Sequence, residues 1–346
     1  MKIQKNISLK NKNWFQTGGN AKFYCEPENE TLFQEALNFS KENNLETFVL
    51  GSGANILISD AGFDGLVIKP TLNKIEINQD LVIAQAGVTI EELINNCLDN
   101  NLVGLEEFSG IPGTVGGSVF INIHYFNYFL SDFLVSAKVI EKETGQIKTV
   151  NKNWFEFGYD KSKLFEKKLF LIDAIFQLKK VDNIQTAHAK GKSDERILQR
   201  NNRYPNSNTC GSFFRNFHAD EIVKTNNKLP FIAYYLDKLG IKGELFVGKA
   251  KVSHQHANMI VTEEGATSSD VIKLAQKMQQ LVFDNFGILP QPECQFIGFD
   301  EYQSLTKFSI NNKLRILPPP ARPACPSKPW RRLERSRRIT SGKLMK

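Results

Sequence analysis

The sequence has no run of about 18 apolar residues, the length a helix needs to cross a bilayer, so no membrane span is expected. Its first residues, M-K-I-Q-K-N-I-S-L-K-N-K-N, hold neither an apolar signal core nor a small-residue cleavage site, and a cytoplasmic location is expected. Cysteine is scarce. Cys25, Cys97, Cys210, Cys294 and Cys325 are odd in number and widely spaced, which fits a reducing compartment and argues against a cysteine metal site. The dinucleotide fingerprint G-x-G-x-x-G at a strand–helix turn is missing as well. Acidic residues all but vanish at the end of the chain, where twelve Lys and Arg from Lys307 onward face Glu334 alone. That segment carries +11 of a chain whose net charge is +7, which leaves −4 on residues 1–306. The basic balance therefore belongs to the tail, and no nucleic-acid partner is expected for the folded part.

What is present is a chain of 346 residues, long enough for two domains, with 26 phenylalanines to build cores. Its centre is residues 104–122, G-L-E-E-F-S-G-I-P-G-T-V-G-G-S-V-F-I-N, where five glycines and Pro112 stand between apolar runs. That density is expected to exclude a helix and to leave backbone N–H groups free to face a ligand. A second glycine loop, Gly51, Ser52, Gly53, Ala54 and Asn55, makes the pair look like a cofactor cradle. Helices are expected over 30–43 and 90–100, with short β segments at 20–27, 47–50, 56–59, 66–69, 74–77, 81–86, 136–142, 146–150 and 168–179. A polar stretch at 182–192 separates this half from a second, smaller α+β part. That part holds a helix over 231–239, strands at 250–252 and 259–261, and a helix from Ser268 or Ser269 to about 286, stopped by Gly287. A last strand is expected at 295–299. Six prolines beyond residue 317 mark the tail as a disordered extension.

The order of motifs is specific. T-G-G-N-A, G-S-G-A-N-I-L-I-S-D, the central glycine stretch, G-S-F-F-R-N and P-E-C-Q-F-I-G together closely resemble the UDP-N-acetylenolpyruvoylglucosamine reductase family, over about residues 7–300. The short segment before G-S-F-F resembles the branch without a long substrate-covering loop. The resemblance implies an α+β chain. Residues 1–181 would be an FAD-binding domain of the vanillyl-alcohol-oxidase type, in two subdomains, and residues 194–303 a smaller substrate-binding domain. The tail is 304–346. FAD and NADPH are the implied cofactors, with NADPH and a UDP-sugar sharing one cleft, and a monomer is expected.

Residue by residue, the resemblance implies that Gly51, Ser52, Gly53, Ala54 and Asn55 wrap the pyrophosphate. Ser109, Gly110, Ile111, Pro112, Thr114, Gly116 and Gly117 would line the rest of the flavin. Ser212 would give a proton to the carbon beside the one that receives hydride, and Glu293 would stand near the developing enolate as a raised-pKa carboxyl. Tyr159, Arg215, Asn216, His256 and Asn258 would meet the substrate. His254 and His256 form an H-x-H pair, but with no third ligand nearby in sequence no metal is expected.

The chain departs from the family's pattern twice. Tyr-Arg-x-Ser becomes Tyr159, Asp160, Lys161 and Ser162, so an acid replaces the enolate-stabilising guanidinium, and Lys161 or Lys163 is expected to stand in as a point charge. N-A-G-A-Y-G becomes Asn122, Ile123, His124, Tyr125, Phe126 and Asn127, a bulkier wall beside the flavin. These departures leave two alternatives to the reductase: another flavin oxidoreductase of the same fold, or a non-catalytic flavin-binding homologue.

Overall fold

Asn, Asp and Gly turns cut the first half into short strands, and the structure, a computed structural model, describes residues 1–223 and 229–299. The proline-rich basic tail and Cys325 lie outside the described residues. The chain opens with β1 (Gln4–Ser8), β2 (Asn20–Cys25), α1 (Glu30–Glu42), β3 (Glu46–Val49), β4 (Ile56–Ile58) and β5 (Phe63–Ile68). Four of these strands form a sheet ordered β1-β2-β5-β3, in which β5 is parallel to both β2 and β3. In α1, Phe33, Ala36 and Leu37 recur at helical spacing and share a core with Leu66 and Ile68 of β5. Asn29 caps the helix by accepting from the Leu32 N–H at 2.9 Å.

The chain continues through β6 (Ile75–Asn78), β7 (Leu81–Gln85), α2 (Ile90–Asp99), β8 (Leu102–Val103), α3 (Val115–Ile121) and a hairpin of β9 (His124–Tyr125) with β10 (Tyr128–Phe129). β11 (Leu134–Glu141), β12 (Ile147–Asn151), β13 (Leu169–Gln177) and β14 (Lys179–Lys180) complete this half. A second sheet, β12-β11-β13-β7-β6, is antiparallel throughout. Leu93, Ile94 and Cys97 of α2 and Val115 and Val119 of α3 share its core with Val82, Ala84 and Phe176.

Contrary to the expectation from glycine and proline density, a helix forms at the end of the central stretch. Its first-turn N–H groups find tertiary acceptors: Val115 donates to the Val88 carbonyl at 2.8 Å and Gly116 to that of Ala86 at 2.9 Å. A Cβ on Gly116 would stand 3.1 Å from the Ala86 oxygen, so glycine permits the approach that satisfies the helix. Those bonds outweigh the low helix propensity of glycine, about 1 kcal/mol per residue.

The second half consists of α4 (Asn183–Arg203), α5 (Ala219–Val223), α6 (Ile232–Lys238), β15 (Phe246–Val247), β16 (Ala250–Val252), β17 (Ile260–Thr262), α7 (Ser268–Phe286) and β18 (Gln295–Ile297). The polar stretch 182–192, read from the sequence as a separator, is instead the first half of α4. Asp182 caps it by accepting from the Gln185 N–H at 2.8 Å, and Thr186, Ala189 and Ser193 are buried. α7 is capped one residue before the expected serines, by a reciprocal box of Thr267 and Asp270, and ends at Gly287 with φ +69°. Its Val271, Leu274, Ala275, Met278 and Val282 pack with Val252 and Ile260.

Contacts outside α4 also tie this half to the first. β18 pairs in parallel with β4, with Gln295 opposite Ile56. The Thr262 hydroxyl donates to the Phe15 carbonyl at 2.6 Å, and the backbone N–H groups of Ser268 and Ser269 donate to Asp60 at 2.7 and 2.9 Å. Among the described residues, no helix is long and apolar enough to cross a membrane.

Candidate active site

β3 runs into the loop 51–55, and the loop before α3 faces it across a cavity of about 570 Å³, a size typical of cofactor pockets. Gly51, Ser52, Gly53, Ala54 and Asn55 line one side. Pro112, Thr114, Gly116 and Gly117 line the other. The two loops touch, because a Cβ on Gly51 would stand 2.7 Å from Thr114 Oγ1. Gly53 adopts φ +72°, and its carbonyl accepts from the Trp14 N–H at 3.0 Å.

The walls fit FAD. Asn55 Oδ1 and Ser118 Oγ are buried in them without a hydrogen-bond partner among the described residues, so the cavity offers polar atoms that a ligand would satisfy. Lys69 and Lys167 add positive charge suited to a diphosphate. Neither lysine, nor Phe120 and Gln295 on the same walls, was picked out in the sequence: Lys69, Lys167 and Gln295 come from segments outside the two glycine loops, and Phe120 is an apolar residue of α3.

Three of the expected cofactor residues do not line this cavity. The Ser109 hydroxyl is hydrogen-bonded to that of Ser193 at 2.7 Å, and the Gly110 carbonyl accepts from Arg200 Nε at 3.1 Å. Ile111 packs into the core of the second sheet. Ser109 and Gly110 thus seat α4, which Lys192 and Arg196 secure further by ion pairs to Glu107 at 2.6 and 2.8 Å.

At the edge of the cavity three segments lie side by side. Ser212 pairs with Met259, the Phe213 N–H donates to the Asn258 carbonyl at 2.8 Å, and the Glu293 N–H donates to the Phe213 carbonyl at 2.9 Å. Ser212 and Glu293 thereby lie on adjacent paired segments, with Pro292 opposite Phe214. The β18–β4 pairing puts Gln295 in the cavity wall, two residues from Glu293. Glu293 keeps a partial opening to solvent but is enclosed by protein. That desolvation, and then the charge of Asp160, push its carboxyl well above the ordinary range.

Tyr159 and Asn216 meet where Asn216 Nδ2 donates to the phenol oxygen at 3.3 Å, and burial followed by the Asp160 charge pushes that phenol up to about 12. Arg215 is held bidentately by Glu221, at 2.8 Å on each arm. His256 stands edge-on to Tyr204, and its burial, followed by Arg203 and Lys242, lowers it to about 4, so the ring is neutral at pH 7. Among the described residues, no group of three His, Cys, Asp or Glu is arranged to hold a metal.

Two expectations are corrected. Lys161 is exposed, and its charge is felt at Glu156 rather than at Glu293, while Lys163 is bound to Glu156 at 2.6 Å. Neither lysine replaces a guanidinium in the site. Asn258 is buried, and its amide spans Phe214, accepting from that N–H at 3.1 Å and donating to that carbonyl at 2.8 Å. With both polar atoms occupied, it holds the Ser212 segment instead of reaching a substrate. Asn258→Ala would leave a buried N–H and C=O unpaired, at about 1–3 kcal/mol each. Urea denaturation should show a clearly lower midpoint at unchanged slope, and a midpoint matching wild type would rule this role out.

Comparison with known proteins agrees with the geometry. A family model described as an FAD binding domain matches residues 21–151, and one for the C-terminal domain of UDP-N-acetylenolpyruvoylglucosamine reductase matches residues 203–297. The chain is 32% identical over 302 residues to UDP-N-acetylenolpyruvoylglucosamine reductase of Clostridium tetani, covering 86% of this chain and 93% of that one. It is 30% identical over 298 residues to the protein of the same name from Caldicellulosiruptor saccharolyticus, covering 85% and 91%. The solved structure of the reductase from Thermus caldophilus matches with a TM-score of 0.71 at 23% identity, over 86% of this chain and 99% of that one, and shares the α+β fold. With its FAD-binding domain followed by the reductase C-terminal domain, the chain belongs to the UDP-N-acetylenolpyruvoylglucosamine reductase family.

Proposed function

We propose that this protein reduces the enolpyruvyl group of UDP-N-acetylglucosamine enolpyruvate to the lactyl ether of UDP-N-acetylmuramate, with NADPH as reductant, in peptidoglycan precursor synthesis. The observation that carries this reading is the pairing of the Ser212 and Glu293 segments beside a glycine-lined cavity that fits FAD. Bound FAD supplies the hydride, which comes originally from NADPH. Ser212 gives its hydroxyl proton to the carbon adjacent to the one that receives hydride, and solvent later restores it. Glu293, carrying its proton, donates a hydrogen bond to the oxygen on which enolate charge develops.

Tyr159, Asn216, Arg215 and His256 form the approach for the charged sugar nucleotide. NADPH and the sugar use one cleft in turn, which agrees with a sequence that carries no separate nicotinamide motif. In this reading residues 1–181 serve the cofactor and 194–303 the substrate, in a cytoplasmic monomer. Anaerobic mixing with NADPH should bleach the oxidised-flavin absorbance, and UDP-N-acetylglucosamine enolpyruvate should then restore it. Bleaching without recovery would point to a different acceptor and defeat this assignment.

A further inference from the structure

The residues with which this chain departs from its family's pattern build a stack of rings beside Tyr159. β9 and β10 pair in the register that sets Phe129 opposite His124, and the two rings stack with centroids 5.4 Å apart. The imidazole also meets the Tyr159 ring, at 4.3 Å between centroids. His124 Nδ1 lies 3.3 Å from Asp160 Oδ1, with both side chains mostly buried. A glycine, which the family's pattern has at position 124, could make none of these contacts.

The backbone around the stack is fixed independently of it. Asn122 Nδ2 donates to the Gly158 carbonyl at 3.0 Å, and its Oδ1 accepts from the Ser131 N–H at 3.1 Å, so one buried amide joins the hairpin to the turn that carries Tyr159. The Gly158 N–H donates to the Lys161 carbonyl at 3.0 Å, and the Ser162 hydroxyl to that of Phe120 at 2.6 Å. The Tyr159 side chain itself is 40% exposed. At its far end the phenol oxygen accepts from Asn216 Nδ2 at 3.3 Å, and Asn216 Oδ1 accepts from the Ile232 N–H, at the start of α6, also at 3.3 Å. Both bonds are long, so they alone do not set the direction of a half-exposed ring. The broad face of His124, packed against that ring, does.

We propose that His124 is a positioning residue for Tyr159, with Asp160 as its brace. The imidazole is the plate on which the phenol ring rests, and it presents Tyr159 and Asn216 to the sugar nucleotide in one fixed arrangement. A side chain ordered before its ligand arrives spares the ordering cost on binding, which amounts to several-fold and up to about tenfold in affinity. In this chain a residue from the hairpin therefore does part of the work of substrate recognition without touching the substrate.

The identity of the ligand rests on the proposed function, whereas the stack can be read without it. In the FAD-loaded protein carrying isotope-labelled tyrosine, the magnetic resonance signal of Tyr159 is the one missing from Tyr159→Leu. It should move in His124→Ala, which removes the neighbouring ring, and an unmoved signal would overturn the proposal. Binding of UDP-N-acetylglucosamine enolpyruvate to the oxidised protein, followed by flavin absorbance, should weaken about tenfold in His124→Ala and return to within about threefold of wild type in His124→Phe, which keeps a flat ring there. Asp160→Gly removes the brace and tolerates φ +50°; it should weaken binding as well, and add nothing once His124→Ala is present. In a Tyr159→Leu background His124→Ala should cost nothing further. The sugar concentration for half-maximal flavin reoxidation should rise in His124→Ala while the rate at saturation holds. Full additivity with Tyr159→Leu, or a His124→Phe variant as weak as His124→Ala, would overturn the proposal. A wild-type protein whose Tyr159 signal responds to His124→Ala but which does not bind the sugar would instead overturn the proposed reaction.

Discussion

Ser212→Ala is expected to keep FAD bound and reducible by NADPH while slowing reoxidation by UDP-N-acetylglucosamine enolpyruvate by about 10²–10⁴-fold, the usual contribution of a positioned proton donor. The split follows from how the segment is held. Its neighbours are fixed by backbone: the Phe213 N–H on Asn258, the Phe213 carbonyl under the Glu293 N–H, and the Arg215 N–H on the Gln291 carbonyl at 3.0 Å. None of these bonds uses the serine side chain, so removing one oxygen leaves the strand, Glu293 and the cavity in place. Phe213 and Phe214 are fully buried on either side of that backbone and anchor it further. Rapid mixing resolves the two half-reactions by flavin absorbance. Equal slowing of both would assign Ser212 a structural role, and unchanged reoxidation would remove it from the chemistry.

The cavity was legible in the sequence because glycine marks backbone that must approach something closely, and loop 51–55 lines it in full. The same signal misled at the end of the central stretch, where it was expected to exclude a helix. Gly116 and Gly117 lie inside a helix whose first donors are satisfied by Ala86 and Val88, contacts from the turn after β7, some thirty residues earlier, that no local pattern reveals. Ser109 and Gly110, which the resemblance implied as flavin contacts, are bonded to α4, a helix half hidden in the sequence by polar residues with few apolar positions. The parallel pairing of β18 with β4 joins residues about 240 apart and was invisible for the same reason, yet it is what carries Glu293 to the cofactor cavity. Lys161 shows the converse error. Its place beside Asp160, where the resemblance leads one to expect Arg, suggested a stand-in charge, but a tight turn closed between Gly158 and Lys161 leaves the lysine exposed, while Asp160 meets His124.

Gly53→Ala should yield a protein that no longer retains FAD, because the loop has no room to absorb a methyl group. A Cβ there would stand 2.5 Å from the Lys12 carbonyl oxygen and 2.7 Å from Asn13 Cα, both backbone atoms. The opposing segment cannot yield easily. Asn13 is buried, and its amide donates to the Leu9 and Thr17 carbonyls at 2.8 Å each, while the Trp14 N–H is bonded to the Gly53 carbonyl. Alanine would also have to sustain φ +72°, which costs about 1–2 kcal/mol by itself. Relief therefore has to come from the loop, which would swing from its place beside Thr114 and carry Ser52, Ala54 and Asn55 out of the wall. If strain and contact together reach about 3 kcal/mol, FAD affinity falls about 100-fold. Titration of apoprotein with FAD, followed by flavin fluorescence, reads that loss directly, and thermal denaturation of the apoprotein reports any strain kept in the fold. Wild-type affinity together with wild-type stability would show that the loop accommodates a side chain after all, and the cradle would then have to be sought in the wall formed by Thr114, Gly116 and Gly117.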